Sequence, residues 1–239
     1  MVFHFFLNSF ENGRAFLGFT MLIPLLTVFL VQKMGGRLPI HTFSLTKPSS
    51  KWVFLSIIVP IVMGIGLHTY FYVTHGDFFL ITKPTQFIAL LLIGLTISAF
   101  SALVEEVVWR GNYHYYLRQR LSFWPTALFI GVMWSLWHLP IALLYKSYTT
   151  PVLSVPVYLF ILFVLSLVLS IIREVAQSII PVALLHGMMN VFYLSDGQQM
   201  SVTTDFQEWL KCIGIVLLCI VCILLSCHKI VTIQKNKRV

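Results

Sequence analysis

Residues 86–111 read QFIALLLIGLTISAFSALVEEVVWRG: an uncharged run up to Val104, then two adjacent carboxylates, Glu105 and Glu106, and four residues later Arg110. An apolar run of that length is enough to cross the roughly 30 Å hydrocarbon layer of a bilayer as a helix. Within such a layer a charged side chain costs roughly 2.5 to 3.5 kcal/mol on insertion scales, so it persists where it is paired, hydrated or chemically employed. The glutamate pair therefore marks both a membrane helix and a candidate site.

The rest of the chain supports the membrane reading. Of its 239 residues, 58% are hydrophobic and 10% charged, and the mean hydropathy is +0.89. That leaves too little polar surface for a soluble globule. Seven apolar stretches follow one another, about Ala15 to Val31, Val53 to Val73, Gln86 to Leu103, Ala127 to Leu144, Val152 to Ile172, Ile179 to Leu194 and Leu210 to Cys227, the sixth being short for a span. The expected fold is all-α, a polytopic bundle of about seven transmembrane helices forming one domain over 1–239, with a motif-bearing core at about 85–195. Pro84 opens the third helix, whose pattern runs on through the glutamates to about Leu117; a helix so long must tilt, bend near Gly111 or protrude.

Charge orients the bundle. With the N-terminus outside and the C-terminus inside, Lys33, Arg37, Lys47, Lys51, Arg110, Arg118, Arg120, Arg173, Lys229, Lys235, Lys237 and Arg238 are cytoplasmic, twelve of the sixteen basic residues. This is the asymmetry that the positive-inside rule describes. The net charge of +8 is then topological, a matter of anionic lipid heads and not of nucleic acid. Cys212, Cys219, Cys222 and Cys227 all fall in the last span, which argues for apolar packing instead of a disulfide framework, with Cys227 a weaker candidate for palmitoylation. Asn8, Glu11, Asn12 and Arg14 break up the first apolar residues, so no cleavable signal peptide is expected.

Three spans carry chemistry. Glu106 and Arg110, four apart on a helix, share a face and can form an ion pair, while Glu105 points about 100° away and stays free for proton transfer. A charge pair at a helix end is the structural alternative. The fourth span brings Trp134 and His138 onto one face, and the sixth does the same for His186 and Asn190. A single histidine here reads as an interhelical hydrogen bonder, and Gly187 as a helix-packing residue. Together, Glu, two His and Asn suit amide hydrolysis: a carboxyl group in a low-dielectric pocket can act as a base near neutral pH, histidine can orient the water, and the Asn amide can donate to an oxyanion. Ser135 should face away from His138 and offers no nucleophile. His114 reads as part of an interfacial helix with Tyr113, Tyr115 and Tyr116; His68, His75 and Asp77 as a solvated edge; Arg173 and Glu174 as the turn between spans five and six.

These residues resemble a known family. Glu105-Glu106-Val-Val-Trp-Arg110 is similar to the Glu-Glu-x-x-x-Arg motif of the CPBP family, the CAAX prenyl endopeptidase and bacteriocin-processing (Abi) intramembrane proteases. Trp134 to His138 resembles its aromatic-x-x-x-His motif, with Trp in place of the usual Phe, and His186 to Asn190 its His-x-x-x-Asn motif. Order and spacing agree from Glu105 to Asn190. The resemblance implies that Glu105 is the general base, that His138 assists it, that His186 and Asn190 form the oxyanion side, and that Glu106, Arg110 and Trp134 support the site. It implies no required cofactor in a glutamate mechanism, with zinc on Glu105, His138 and His186 as the alternative, although no local His-Glu-x-x-His pairing fixes a metal.

The function expected is an intramembrane endopeptidase cleaving a membrane-associated peptide or protein near the cytoplasmic side of a bacterial cell membrane, in peptide maturation or bacteriocin self-immunity. A non-catalytic immunity or regulatory partner with the same fold is the alternative, and a small transporter the third reading. The expected partners are that substrate and the lipid bilayer, with no nucleic acid. Depth is the obstacle: the span limits put Glu105 roughly 15 Å inward of the centre of its segment and His138 roughly 4 Å outward of its own.

Overall fold

The computed structural model describes residues 20–35, 40–75, 84–195 and 203–236, and these residues are almost wholly helical. Seven helices follow the seven apolar stretches: α1 (Leu22–Met34), α2 (Ser50–His75), α3 (Thr85–Arg118), α4 (Phe123–Leu144), α5 (Pro151–Ala176), α6 (Ile180–Phe192) and α7 (Asp205–Asn236). Five of them, α2 to α5 and α7, are long and apolar enough to cross a membrane. Asn8, Glu11, Asn12, Arg14, Arg37, Asp77, Lys237 and Arg238 lie outside the described residues.

The third helix is not interrupted at Gly111. It runs unbroken for 34 residues but carries two π-helical segments, Gly94–Ser98 and Val107–Tyr113, the second starting directly after the glutamate pair. Gly111 serves packing: a Cβ there would lie 3.1 Å from the Cα of Phe43, so glycine lets the short 3-10 turn Ile40–Phe43 close tightly against the helix.

α5 and α6 make the interior. Most of α5 is buried, and α6, at 13 residues about 20 Å long, is covered by α2, α3 and α5. A helix so enclosed need not reach both membrane faces. Gly187 permits the closest approach: a Cβ would sit 2.5 Å from the backbone nitrogen of Ala99, and the Ser98 hydroxyl donates to the Gly187 carbonyl at 2.9 Å. This backbone contact brings the α6 motif against the α3 motif.

A polar seam joins α3 to α5. Glu106, Arg110, His114 and Arg118, each one turn after the last, face Ser166, Arg173 and Glu174: Arg110 Nη2 donates to Ser166 Oγ at 2.7 Å, His114 Nε2 lies 3.0 Å from Glu174 Oε2, and Arg118 Nη2 donates to Glu174 Oε1 at 2.8 Å. Arg173 Nε donates to the Arg110 carbonyl at 3.0 Å, and its Nη2 donates to the Ser44 hydroxyl. Several expectations are corrected here. His114 is 2% exposed and pairs with Glu174, so it is not interfacial; Arg173 and Glu174 are buried members of the seam; and Arg110 lies in the core, not in a cytoplasmic loop. His68 is likewise buried inside the bundle and forms no solvated edge. Apolar neighbours made these residues look like helix ends, yet burial of a charge is affordable wherever opposite charge or hydroxyl is aligned on the facing helix.

The two ends of the bundle differ in charge. Lys33, Lys47, Lys51, Arg118, Arg120 and Lys229 lie at the end that holds the turn Gln119–Ser122, called here the basic end; Lys146, Asp205, Glu208 and Lys211 lie at the other. The loop carrying Lys146 is pinned, Thr149 N–H donating to Thr203 O at 3.1 Å and Thr203 N–H to Ser147 O at 2.9 Å. All four cysteines are unpaired along α7.

Candidate active site

Glu105, His138, His186 and Asn190 line one cavity of about 290 Å³, well above the roughly 30 Å³ that one water occupies. Trp134, Trp137, Tyr158 and Lys146 complete much of its wall. The depth obstacle disappears once distance is counted from the turn that α3 and α4 share. Glu105 precedes that turn by about 14 residues and His138 follows it by about 16, so the two stand roughly 21 and 24 Å from it. The apolar run ended at the glutamates and so misplaced the helix centre.

Trp134 holds both groups. Its indole Nε1–H donates to Glu105 Oε2 at 3.2 Å, and its backbone carbonyl accepts from His138 Nδ1 at 2.8 Å. The second bond has a local cause. Pro140 has no N–H and α4 breaks at His138, whose own N–H turns to the Ser135 carbonyl at 3.0 Å; the Trp134 carbonyl then takes the ring N–H instead of a backbone one. With its proton on Nδ1, the neutral imidazole carries a bare lone pair on Nε2. Ser135 faces away, as the helical spacing requires, its hydroxyl donating to Leu159 O at 2.7 Å.

Glu106 is turned away from the cavity and is 0% exposed, as is Arg110. Its Oε1 receives Arg110 Nη1 at 3.0 Å and also lies 2.8 Å from His186 Nδ1. The guanidinium stacks over the Trp134 ring, 4.8 Å from its centroid. Thus one carboxylate holds Arg110 and the second histidine directly, and the tryptophan through the stacked guanidinium. Asn190, one turn beyond His186, is exposed at the rim of the cavity.

The His186 to Glu106 contact was not legible in the sequence, because it joins helices 80 residues apart. Lys146 was also missed as a lining residue. A lone cation directly after the helix that carries His138 is the signal that was available for it. The zinc alternative meets a geometric objection: among the described residues no three His, Cys, Asp or Glu side chains are grouped so as to hold a metal ion.

The cavity extends in one direction. Its lining residues Trp137, Ile141 and Lys146 follow α4, Tyr158 opens α5, and Asn190 and Leu194 close α6, so all lead to the end opposite the basic one.

Residues 86–192 match a family model described as Type II CAAX prenyl endopeptidase Rce1-like. A curated relative, the CAAX prenyl protease 2 of Methanococcus maripaludis, is 30% identical over 115 residues, which is 48% of this chain and 39% of the relative. The chain thus matches well under two thirds of that relative's length.

Proposed function

On the match of residues 86–192 to the Type II CAAX prenyl endopeptidase Rce1-like model, we propose that the protein is an intramembrane endopeptidase that hydrolyses a peptide bond of a membrane-associated substrate through a glutamate-activated water. The observation that carries the reading is the gathering of Glu105, His138, His186 and Asn190 around one hydrated-size cavity. Glu105, held at Oε2 by the indole of Trp134, takes a proton from water with its other oxygen. The bare Nε2 of His138 accepts the second hydrogen of that water and aims its lone pair at the carbonyl carbon. As the C–O bond forms, the Asn190 amide donates to the developing oxyanion; Glu105 then returns its proton to the amine as the C–N bond breaks. His186 directs its Nδ1 proton to Glu106, so it donates to the oxyanion only when Nε2 is protonated as well.

The proposed steps use no metal, and among the described residues no three His, Cys, Asp or Glu side chains are grouped to hold one. Purified protein reconstituted with membrane-anchored peptides is therefore expected to cleave equally well before and after exhaustive treatment with a zinc chelator. A loss of cleavage that added zinc restores would overturn the mechanism.

The orientation follows from charge, and the sidedness of the chemistry from the cavity. If the basic end is cytoplasmic, the cavity opens toward the outer leaflet and not, as first expected, the cytoplasmic side. In a chain whose four cysteines are replaced by alanine, an impermeant maleimide added to intact cells should label S147C and spare Q119C. The reverse pattern would invert the bundle and return the site to the cytoplasmic side. Maturation of exported peptides or bacteriocin self-immunity suits an outward-facing site.

A further inference from the structure

α2 and α7 approach each other over only a short stretch, leaving a groove between them that consists of two cavities of about 630 Å³ each. Val59, Leu218 and Val221 line both cavities, so the groove is continuous along the bundle. Its floor is apolar, formed by buried Val168 and Leu185 of α5 and α6. Its basic end is different. Lys51 and Lys229 stand there by Trp52, their amino groups 5.7 and 5.9 Å from the ring centroid, and Ser49, Ser56 and Ser226 line the same cavity.

Neither lysine is paired with a carboxylate among the described residues. Glu174, the acid of that end, is already engaged by His114 and Arg118, and Lys229 spends one N–H on the Val175 carbonyl at 2.8 Å. Two cations at the head of an apolar groove complement a molecule with an anionic head and long hydrocarbon tails. We propose that the groove between α2 and α7 is a binding site for an anionic glycerophospholipid of the leaflet at the basic end, its phosphate between Lys51 and Lys229 and its acyl chains along Val59, Leu218 and Val221. Ser56 and Ser226 can donate to the phosphate oxygens, and Trp52 is suited to the headgroup level. The groove shares no lining residue with the cavity of Glu105, so this site is separate from the proposed chemistry.

Native mass spectrometry of the full chain, released from detergent with phosphatidylglycerol or phosphatidylcholine of identical acyl chains, tests the assignment. The wild type should retain phosphatidylglycerol better by roughly 10- to 30-fold, the attraction that two lysines exert on an anionic headgroup. K51Q/K229Q should lose this preference, whereas K47Q/R120Q, which removes two other cations of the same end, should keep it. V221W, which fills the groove and leaves both lysines, should weaken retention of either lipid. Equal retention of the two lipids, a preference that survives K51Q/K229Q, or its loss in K47Q/R120Q as well would overturn the proposal. So would displacement by soluble glycerol phosphate at concentrations matching the lipid, which would reduce the site to a phosphate contact without a groove.

Discussion

Replacement of Glu105 by glutamine should lower cleavage by about 100- to 10,000-fold, the range that a general base contributes. The protein should still accumulate in the membrane and unfold at the wild-type temperature. The physical reason is that glutamine keeps the shape of glutamate, and its carbonyl oxygen can still accept the Trp134 indole N–H that now reaches Oε2 at 3.2 Å. What is lost is the capacity to take a proton. Glu105 is also only partly buried against a polar cavity, so no buried cation is stranded by the change. Measured on reconstituted protein with an anchored peptide, near-normal cleavage by Glu105→Gln would remove the carboxylate from the chemistry and favour the non-catalytic partner reading.

The neighbouring residue should fail in the opposite way. Glu106→Gln takes from the fully buried Arg110 guanidinium the carboxylate it is bonded to, and breaking such a pair on one side costs about 3 to 5 kcal/mol. The expected outcome is a marked loss of folded protein in the membrane and a lower unfolding temperature. The double change Glu106→Leu with Arg110→Met, which removes both charges, should recover most of that stability, because a well-packed apolar pair is often no worse than the ion pair it replaces. It should not recover cleavage, since His186 loses the acceptor that fixes its Nδ1 proton at 2.8 Å. If Glu106→Gln is as stable as wild type, the buried pair does not carry the structural weight assigned to it.

The contrast between these two carboxylates was readable from their spacing. Glu106 and Arg110 are four residues apart, and a helix then places Glu105 on another face. Trp134 with His138, and His186 with Asn190, were readable for the same reason, as were the seven helices from their uncharged runs. Other features depend on partners far away in the chain. The depth of Glu105 could not be taken from hydropathy, because α3 keeps its charges near its middle and an apolar count stops at the first of them. His114 looked interfacial among tyrosines, and only the facing Glu174 makes it a core residue. The cavity's direction needed the arrangement of four helix ends.

The seam between α3 and α5 has one further consequence. Sliding either helix by a turn would strand Arg110, His114, Arg118 or Glu174 opposite hydrocarbon, so the seam works as a toothed rack that admits one engagement. Hydrophobic mismatch costs only a fraction of a kcal/mol per ångström. A thicker or thinner bilayer will accordingly tilt the bundle as a block before it slides Glu105 along α5, while the Trp134 indole ties Glu105 to the helix of His138. The site carries its own ruler, and membrane thickness acts on how substrate arrives, not on the spacing of the groups that meet it.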